Sequence, residues 1–362
     1  MKFSALREDL VKSVHLLQYS VSARGMMPIL SGVKISSSSD VLTMTSNDLE
    51  SSTTTTCAAQ VEEDGVCVVN HKLLMELLRD MKDEKVLLST VGNEMVLEGG
   101  KSYFKIFTLP VEDFPTTPEV DRAVVKGIDA AAFIKSVQRV SRAASKDEKR
   151  PTLMGILFEV GKNGIRMVST DSYRLAVDVV RNGFEVFEED SYIIPAGALL
   201  NLSRVITADE KVDFYRDENR GQVRFSAGGV DYTIRLIEGK FPKYEQFLPE
   251  SVERKAVANK EEILGAIKRI SVVNSVIKLN MGGEEITVVG ESREVGEGKE
   301  TVKAEYDGDP VAIAFNSRFL EDGLASVDEE EVVLGITEPL KPGVIKGREG
   351  EDFLYIIMPV RI

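Results

Sequence analysis

Asp9–Leu17 reads DLVKSVHLL, Ala132–Val140 reads AFIKSVQRV and Glu262–Ile270 reads EILGAIKRI. Each carries apolar residues at helical spacing on one side and a basic residue on the other, the pattern of an amphipathic helix with one buried face. Each copy begins roughly a third of the chain after the last. Other elements recur in the same order. A second helical stretch follows each first one: Asn70–Met81, Pro195–Ile206 and Asn316–Val327. Asn70 and Asn316 suit N-caps, where a side-chain oxygen takes an orphan backbone N–H, and Pro195 suits a first helical position. A strand opening with an acid and valine comes next (Glu84-Lys85-Val86, Glu210-Lys211-Val212, Glu330-Glu331-Val332). Each third then closes on an alternating, aromatic-bearing strand: Tyr103–Pro110, Asp231–Ile237 and Asp352–Pro359.

Four elements in one order, three times over, read as internal triplication at the scale of domains. The borders fall at 1–121, 122–250 and 251–362, with linkers at Glu119–Arg122 and Glu250–Arg254. Each third predicts an α+β domain, two helices packed on antiparallel sheet. Within the first, Met27–Ile35 and Val41–Thr45 read as strands about a turn at Ser36–Ser39, Ser51–Thr56 as a further strand and Glu62–Gly65 as a hairpin turn. In the second, Asp129 suits an N-cap and Gly161–Gly164 a turn. In the third, Asn259 with Glu262 resembles a capping box, and Asp328–Glu331 reads as a solvated acidic corner.

The chain has 362 residues, 43% hydrophobic and 29% charged, enough for several cores. No apolar run reaches membrane-spanning length and the opening MKFSALREDL has no signal-peptide core, so a cytoplasmic protein is expected. Cys57 and Cys67 predict a reduced pair. Glycine-rich phosphate loops are missing, the only histidines are His15 and His71 without partners at metal or triad spacing, and the cysteines lack CxxC spacing. No catalytic residue, metal or cofactor is therefore expected. A net charge of −14 argues against non-specific sticking to nucleic acid, but not against a local basic patch. Such a patch is visible: Lys12 and Lys135 hold matching places, and Lys135, Arg139 and Arg142 make one helical stripe. Lys268, Arg269, Lys72, Arg79, Arg204 and Arg318 extend the theme. These suit phosphate contacts that position without reading sequence.

The opening MKF, Arg24 before Pro28-Ile29-Leu30, Asn47-Asp48-Leu49-Glu50, Arg150-Pro151, Thr170-Asp171 with Tyr173-Arg174-Leu175-Ala176, Phe241-Pro242 with Tyr244, and the terminal Met358-Pro359-Val360-Arg361-Ile362 lie where one family has its motifs. In these, and over its whole length, the chain resembles the bacterial DNA polymerase III beta subunit, the sliding clamp. That resemblance implies three similar domains per subunit and a head-to-tail homodimer closing as a ring around duplex DNA, helices inside and strands outside. It implies a non-catalytic processivity factor. Its partners would be the replicative polymerase alpha subunit, clamp-loader subunits and repair polymerases, held through a short peptide motif with Gln and large apolar residues.

Carried over by position, the DNA contacts are Arg24, Lys72, Lys146, Asp147, Lys149, Arg150, Pro151 and Thr152, joined by Lys135, Arg139 and Arg204 from the stripe reading. Ala196-Gly197 stands where some relatives have a basic pair. The peptide cleft maps onto Leu153, Thr170, Tyr173, Arg174, Leu175, Pro242, Phe247, Leu340, Met358, Pro359, Val360 and Arg361. At the subunit join, the resemblance pairs the Phe104–Thr108 strand with an edge near Glu300–Glu305, and Phe104, Ile106, Val272 and Val273 pack there.

Overall fold

A computed structural model describes residues 1–22, 27–181, 183–219, 221–249, 251–350 and 352–361. The three quoted stretches lie in helices α1 (Arg7–Leu17), α3 (Ala130–Val140) and α5 (Lys260–Ile270). The buried positions repeat at one spacing: Leu10, Ser13, Val14 and Leu17 in α1; Phe133, Ser136, Val137 and Val140 in α3; Ile263, Ala266, Ile267 and Ile270 in α5. This i, i+3, i+4, i+7 stripe is what the helical period demands of a face that meets a core. The second stretches form α2 (His71–Asp80), α4 (Ala196–Val205) and α6 (Ser317–Leu324). Asn70 caps Leu73 N at 3.0 Å, Asn316 caps Phe319 N at 3.2 Å, and Asn259 takes both Glu261 N and Glu262 N. Pro195 instead ends the Asp190–Pro195 strand, one place before α4. A strand end tolerates proline because no ladder N–H is needed there.

Among the described residues all strand pairing is antiparallel, in three sheets. A five-stranded sheet runs Gln60–Glu63, Lys2–Leu6, Lys85–Val91, Glu94–Gly99, Ser102–Phe107. In the nine-stranded sheet, Val230–Arg235 from the second third pairs with Ser51–Ala58 from the first, Ile234 opposite Ser51. In the twelve-stranded sheet, Arg174–Val180 from the second third pairs with Leu354–Ile357 from the last, Arg174 opposite Ile357. Hydrogen bonding therefore crosses the repeat borders. Two compact units result: Met1–Ala131 with Gly183–Glu188 and Asn201–Leu236, and Ala132–Asn182 with Glu189–Leu200 and Ile237–Ile362. The repeat is the unit of sequence, whereas the shared sheet is the unit of packing.

Three local readings change. Met27–Ile35 is not one strand: Pro28–Ser31 makes a single 3-10 turn, with proline's fixed φ at its start, and the strand is Gly32–Ser38. The reversal sits at Ser39 and Asp40, whose φ of 50° and 61° match the twist of a two-residue hairpin. Glu62–Gly65 is not a hairpin turn. Gln60–Glu63 pairs with Lys2–Leu6, while Gly65–Asn70 pairs with Gly32–Ser38, so the chain changes sheets there. Ser51–Ala58 is a strand despite its hydroxyls, and Cys57 and Cys67 are free and buried. Among the described residues no helix is long and apolar enough to cross a membrane.

Among the strands with an open side are Ser102–Phe107 and Gly296–Asp307. Ser102–Phe107 is outermost in its sheet. Gly296–Asp307 pairs with Glu285–Ser292 along residues 296–303, but with Arg254–Asn259 only along 304–307. Residues 296–303 thus present unpaired backbone on one side.

Candidate functional site

Where each shared sheet crosses a repeat border, the chain makes the same turn. At Thr170-Asp171-Ser172-Tyr173, Asp171 Oδ1 accepts Tyr173 N (2.9 Å) and Arg174 N (3.1 Å) and Thr170 Oγ1 accepts Ser172 N (3.1 Å). At Asn47-Asp48-Leu49-Glu50, Asp48 Oδ1 accepts Glu50 N (3.0 Å) and Ser51 N (2.7 Å) and Asn47 Oδ1 accepts Leu49 N (2.8 Å). Ser172 and Leu49 both take positive φ, 80° and 75°. Short side-chain acceptors offer a local alternative to the ladder, which is why Asp, Asn and Thr recur here. Ser46 and Ser169 each donate to a carbonyl of the preceding helix, Leu17 O and Val140 O. The next strand then docks alike: Arg235 N on Glu50 O and Met358 N on Tyr173 O, both at 2.9 Å.

Side chains make the second turn a site. Arg174 is almost enclosed. Its guanidinium donates to Asp171 Oδ2 (2.9 Å), Asp322 Oδ2 and Tyr355 Oη (3.3 Å), and lies 4.4 Å from the centre of the Phe319 ring. Burial works against its charge, yet Tyr355, Asp322 and Asp171 hold its pKa above the usual value. Burial likewise pushes the Tyr355 phenol up. Arg174 therefore braces the wall from inside. Outside stand Tyr173, 61% exposed and stacked on Phe319, and Met358, 38% exposed. The terminal segment continues to Val360, whose N–H bonds Ala314 O at 2.8 Å. There Leu340, Val360 and Arg361 join Lys278, Ile313, Ala314 and Pro339 around an open depression of about 490 Å³. Phe247 and Pro242 are exposed on the segment after the Val230–Arg235 strand, and Pro359 is half-buried. Leu175 and Leu153 do not line an open surface. Leu175 joins Leu157, Val168, Tyr244 and Ile356 in a buried cluster because strand alternation turns it inward, and Leu153, in the 3-10 turn Pro151–Met154, is 6% exposed. Tyr244 donates to Glu159 at 2.7 Å, and burial pushes its pKa up to about 12.

Sequence reading missed Phe319, Asp322, Tyr355 and the walls at Lys278 and Ile313. One signal was present: Gly323, a glycine inside a helical pattern. A Cβ there would fall 2.6 Å from the Tyr355 ring, so glycine lets that ring reach Arg174.

The predicted basic positions fare unevenly. Arg24 lies outside the described residues. Lys72 and Arg204 are exposed, Lys72 3.9 Å from Glu76. Lys146, Lys149 and Pro151 are exposed and Thr152 half-buried, on a loop closed by Ser145 N to Leu153 O at 2.8 Å. Asp147 organises the loop. It accepts Lys149 N (3.1 Å) and Arg150 Nε (3.0 Å), while Arg150 Nη1 donates to Ser172. On α3, Lys135 and Arg139 both meet the Asp328 carboxylate, and Arg139 also meets Asp178 at 3.4 Å. The acidic run is largely exposed, as a solvated corner should be, but three of its carboxylates have partners. Asp328 binds α3, Glu329 accepts Glu349 N and Gly350 N, and Glu331 pairs with Arg348 at 2.8 Å.

At the open edges, Phe104 and Ile106 pack partly onto the first core, leaving Tyr103 (60%) and Phe107 (74%) as the exposed aromatics. Val272 is 80% exposed, Val273 is half-buried, and Arg269 pairs with Glu300 on the half-open strand.

Residues 1–118, 127–243 and 245–361 match the family models of the N-terminal, central and C-terminal domains of the DNA polymerase III beta subunit. The chain is 30% identical to the beta sliding clamp of Streptomyces coelicolor over the whole of both, and 29% identical to that of Staphylococcus epidermidis over 100% of this chain and 99% of the other. Among solved structures it is similar to the DNA polymerase sliding clamp of Bacillus subtilis (TM-score 0.95, 26% identity, covering 100% and 99%). It is also similar to the DNA polymerase III beta subunit of Pseudomonas aeruginosa (TM-score 0.94, 26% identity, covering 100% of each).

Proposed function

The chain belongs to the DNA polymerase III beta-subunit family, and from that premise we propose that two copies join head to tail into a ring threaded by duplex DNA. Its function is that of a sliding clamp in DNA replication, and it is a non-catalytic processivity factor.

The observation that carries the ring is the pair of unfinished edges. Ser102–Phe107 has no neighbour on one side, and neither has the 296–303 half of Gly296–Asp307. Exposed edges with aromatic side chains invite pairing, and an edge that fits its counterpart on a second copy gives a heterologous contact that closes if the rotation closes. Phe104, Ile106, Tyr103 and Phe107 would meet Val272, Val273 and the half-open strand. On this reading the repeats are three domains, 1–121, 122–250 and 251–362, and the protein works in the cytoplasm.

A closed ring need not grip. A protein held only by phosphate contacts loses affinity steeply as salt rises, whereas closure prevents escape however weak the contacts. Lys72, Arg204, Lys146, Lys149 and Arg150 would make such contacts. The tethered polymerase gains effective concentration at the primer end. We assign the surface of Tyr173, Phe247, Leu340, Met358, Pro359, Val360 and Arg361 to a short Gln-bearing apolar peptide of the polymerase alpha subunit, clamp-loader subunits and repair polymerases. Exposed aromatic and apolar anchors carry most of the energy of such contacts.

The test of the ring is retention on a nicked circular duplex against the same DNA linearised, at equal salt. Retention on the circle and rapid loss from the linear form are expected; equal loss from both overturns it. The peptide surface is tested by deleting Met358–Ile362, which should abolish peptide binding while leaving retention on the circle intact.

A further inference from the structure

Asp328 stands where the last third turns from α6 towards the Glu331–Ile336 strand, and its carboxylate reaches two cations of α3, Lys135 and Arg139. Arg139 is further fixed by Asp178 and by the Phe353 ring 5.1 Å below its guanidinium, and its side chain is only 16% exposed. Lys135, 52% exposed, pairs with Asp328 and lines the same depression as Glu329 and Asp352. Neighbouring groups do not compete for that carboxylate. Lys260 Nζ donates to the backbone carbonyls of Val327 (3.0 Å) and Asp328 (3.3 Å), and Glu329 is occupied by two backbone N–H groups. Two cations of α3 thus share the Asp328 carboxylate, and Arg139 has Asp178 as a second partner.

We propose that Asp328 masks the α3 stripe, so that Lys135 adds nothing to the hold on DNA while this carboxylate is in place. The proposal rests on the reading that α3 faces the duplex. A cation contributes to the salt dependence of DNA binding by neutralising a phosphate and releasing its condensed counterion. A lysine already held by a carboxylate can reach a phosphate only by giving up that partner, so it neutralises nothing. Lys72, by contrast, has only an acid of its own helix nearby, at 3.9 Å. The α3 mask comes from a different repeat and is shared with a nearly buried arginine. It makes Asp328 the residue that sets how loosely this part of the stripe rides on DNA.

The test measures affinity of the full chain for a linear duplex, where closure plays no part, between 50 and 200 mM salt. Asp328→Asn raises the local charge by one, so log K against log salt should steepen by about 0.9. Asp328→Asn with Lys135→Ala should return to the parental slope, and Lys135→Ala alone should leave the slope unchanged. An unchanged slope in Asp328→Asn, with an unshifted thermal melt, overturns the proposal. So does a steeper slope that survives loss of Lys135, or a shallower slope in Lys135→Ala alone, which needs no change at Asp328. Loss of the parental chain from nicked circles would instead sink the ring, whatever these slopes show.

Discussion

The turn at Asn47–Glu50 and the turn at Thr170–Tyr173 share a backbone and differ in what they carry. In both, an aspartate gathers two N–H groups, the next residue takes positive φ, and a strand from the following repeat docks at 2.9 Å. At the first, the position after the turn is Ser51, which joins Ser20, Thr53 and Tyr232 in a buried hydroxyl cluster. The depression beside it, edged by Leu49, Pro115–Pro118 and Arg235, encloses about 90 Å³. At the second, the same position is Arg174, braced by two carboxylates and a phenol, with Tyr173 held out on Phe319. Duplication supplied the scaffold twice, and only one copy acquired a braced aromatic wall. Function follows the side chains grafted onto a fold, not the fold.

The contrast can be broken most directly at Arg174. Replacing it by alanine strands Asp171, Asp322 and Tyr355 and should destabilise the protein by about 3–5 kcal/mol in denaturant unfolding. Ser51→Ala, at the matching position, should lose only about 1 kcal/mol. Comparable losses would mean that the two turns bear equal loads. Next in size, Tyr173→Ala should weaken a fluorescent Gln-bearing apolar peptide by about 2 kcal/mol, a factor of about thirty in anisotropy titrations. Glu50→Ala should leave that titration unmoved, and any response there would show that the first turn also binds. The smallest effect belongs to the first turn's aspartate. Asp48→Ala releases two backbone N–H groups and should lose about 1 kcal/mol of stability, whereas Asp171→Ala also unpairs Arg174 and should lose more. Only Asp171→Ala should also weaken the peptide, since it alone touches Arg174.

Much of this was legible beforehand because it is periodic. The α1, α3 and α5 stripes follow from 3.6 residues per turn, and Asn70, Asn259 and Asn316 announce their helices by the chemistry of a cap. Exposure of Tyr173, Phe247, Leu340 and Met358 agreed with a surface role. What could not be read is long-range. Nothing local distinguishes a hairpin turn at Glu62–Gly65 from a change of sheet, since both need only a polar bend. Leu175 and Leu153 have the composition of an anchor, and only the fold shows how deeply both are buried, Leu175 by strand facing and Leu153 in a 3-10 turn. Likewise the charges of Lys135 and Asp328 are plain in the sequence, but their meeting across nearly two hundred positions is a property of tertiary packing.

Sheets that ignore the repeat borders also limit how the molecule can be dissected. A fragment ending near residue 121 would lose the Val230–Arg235 strand from beside Ser51–Ala58, and one beginning near 251 would lose Arg174–Val180 from beside Leu354–Ile357. Each excised third would expose a raw border of amides. During synthesis, too, the first third emerges with one side of Ser51–Ala58 paired to Val41–Asn47 and the other open until the second third follows, a window in which a bare strand edge is prone to aggregate.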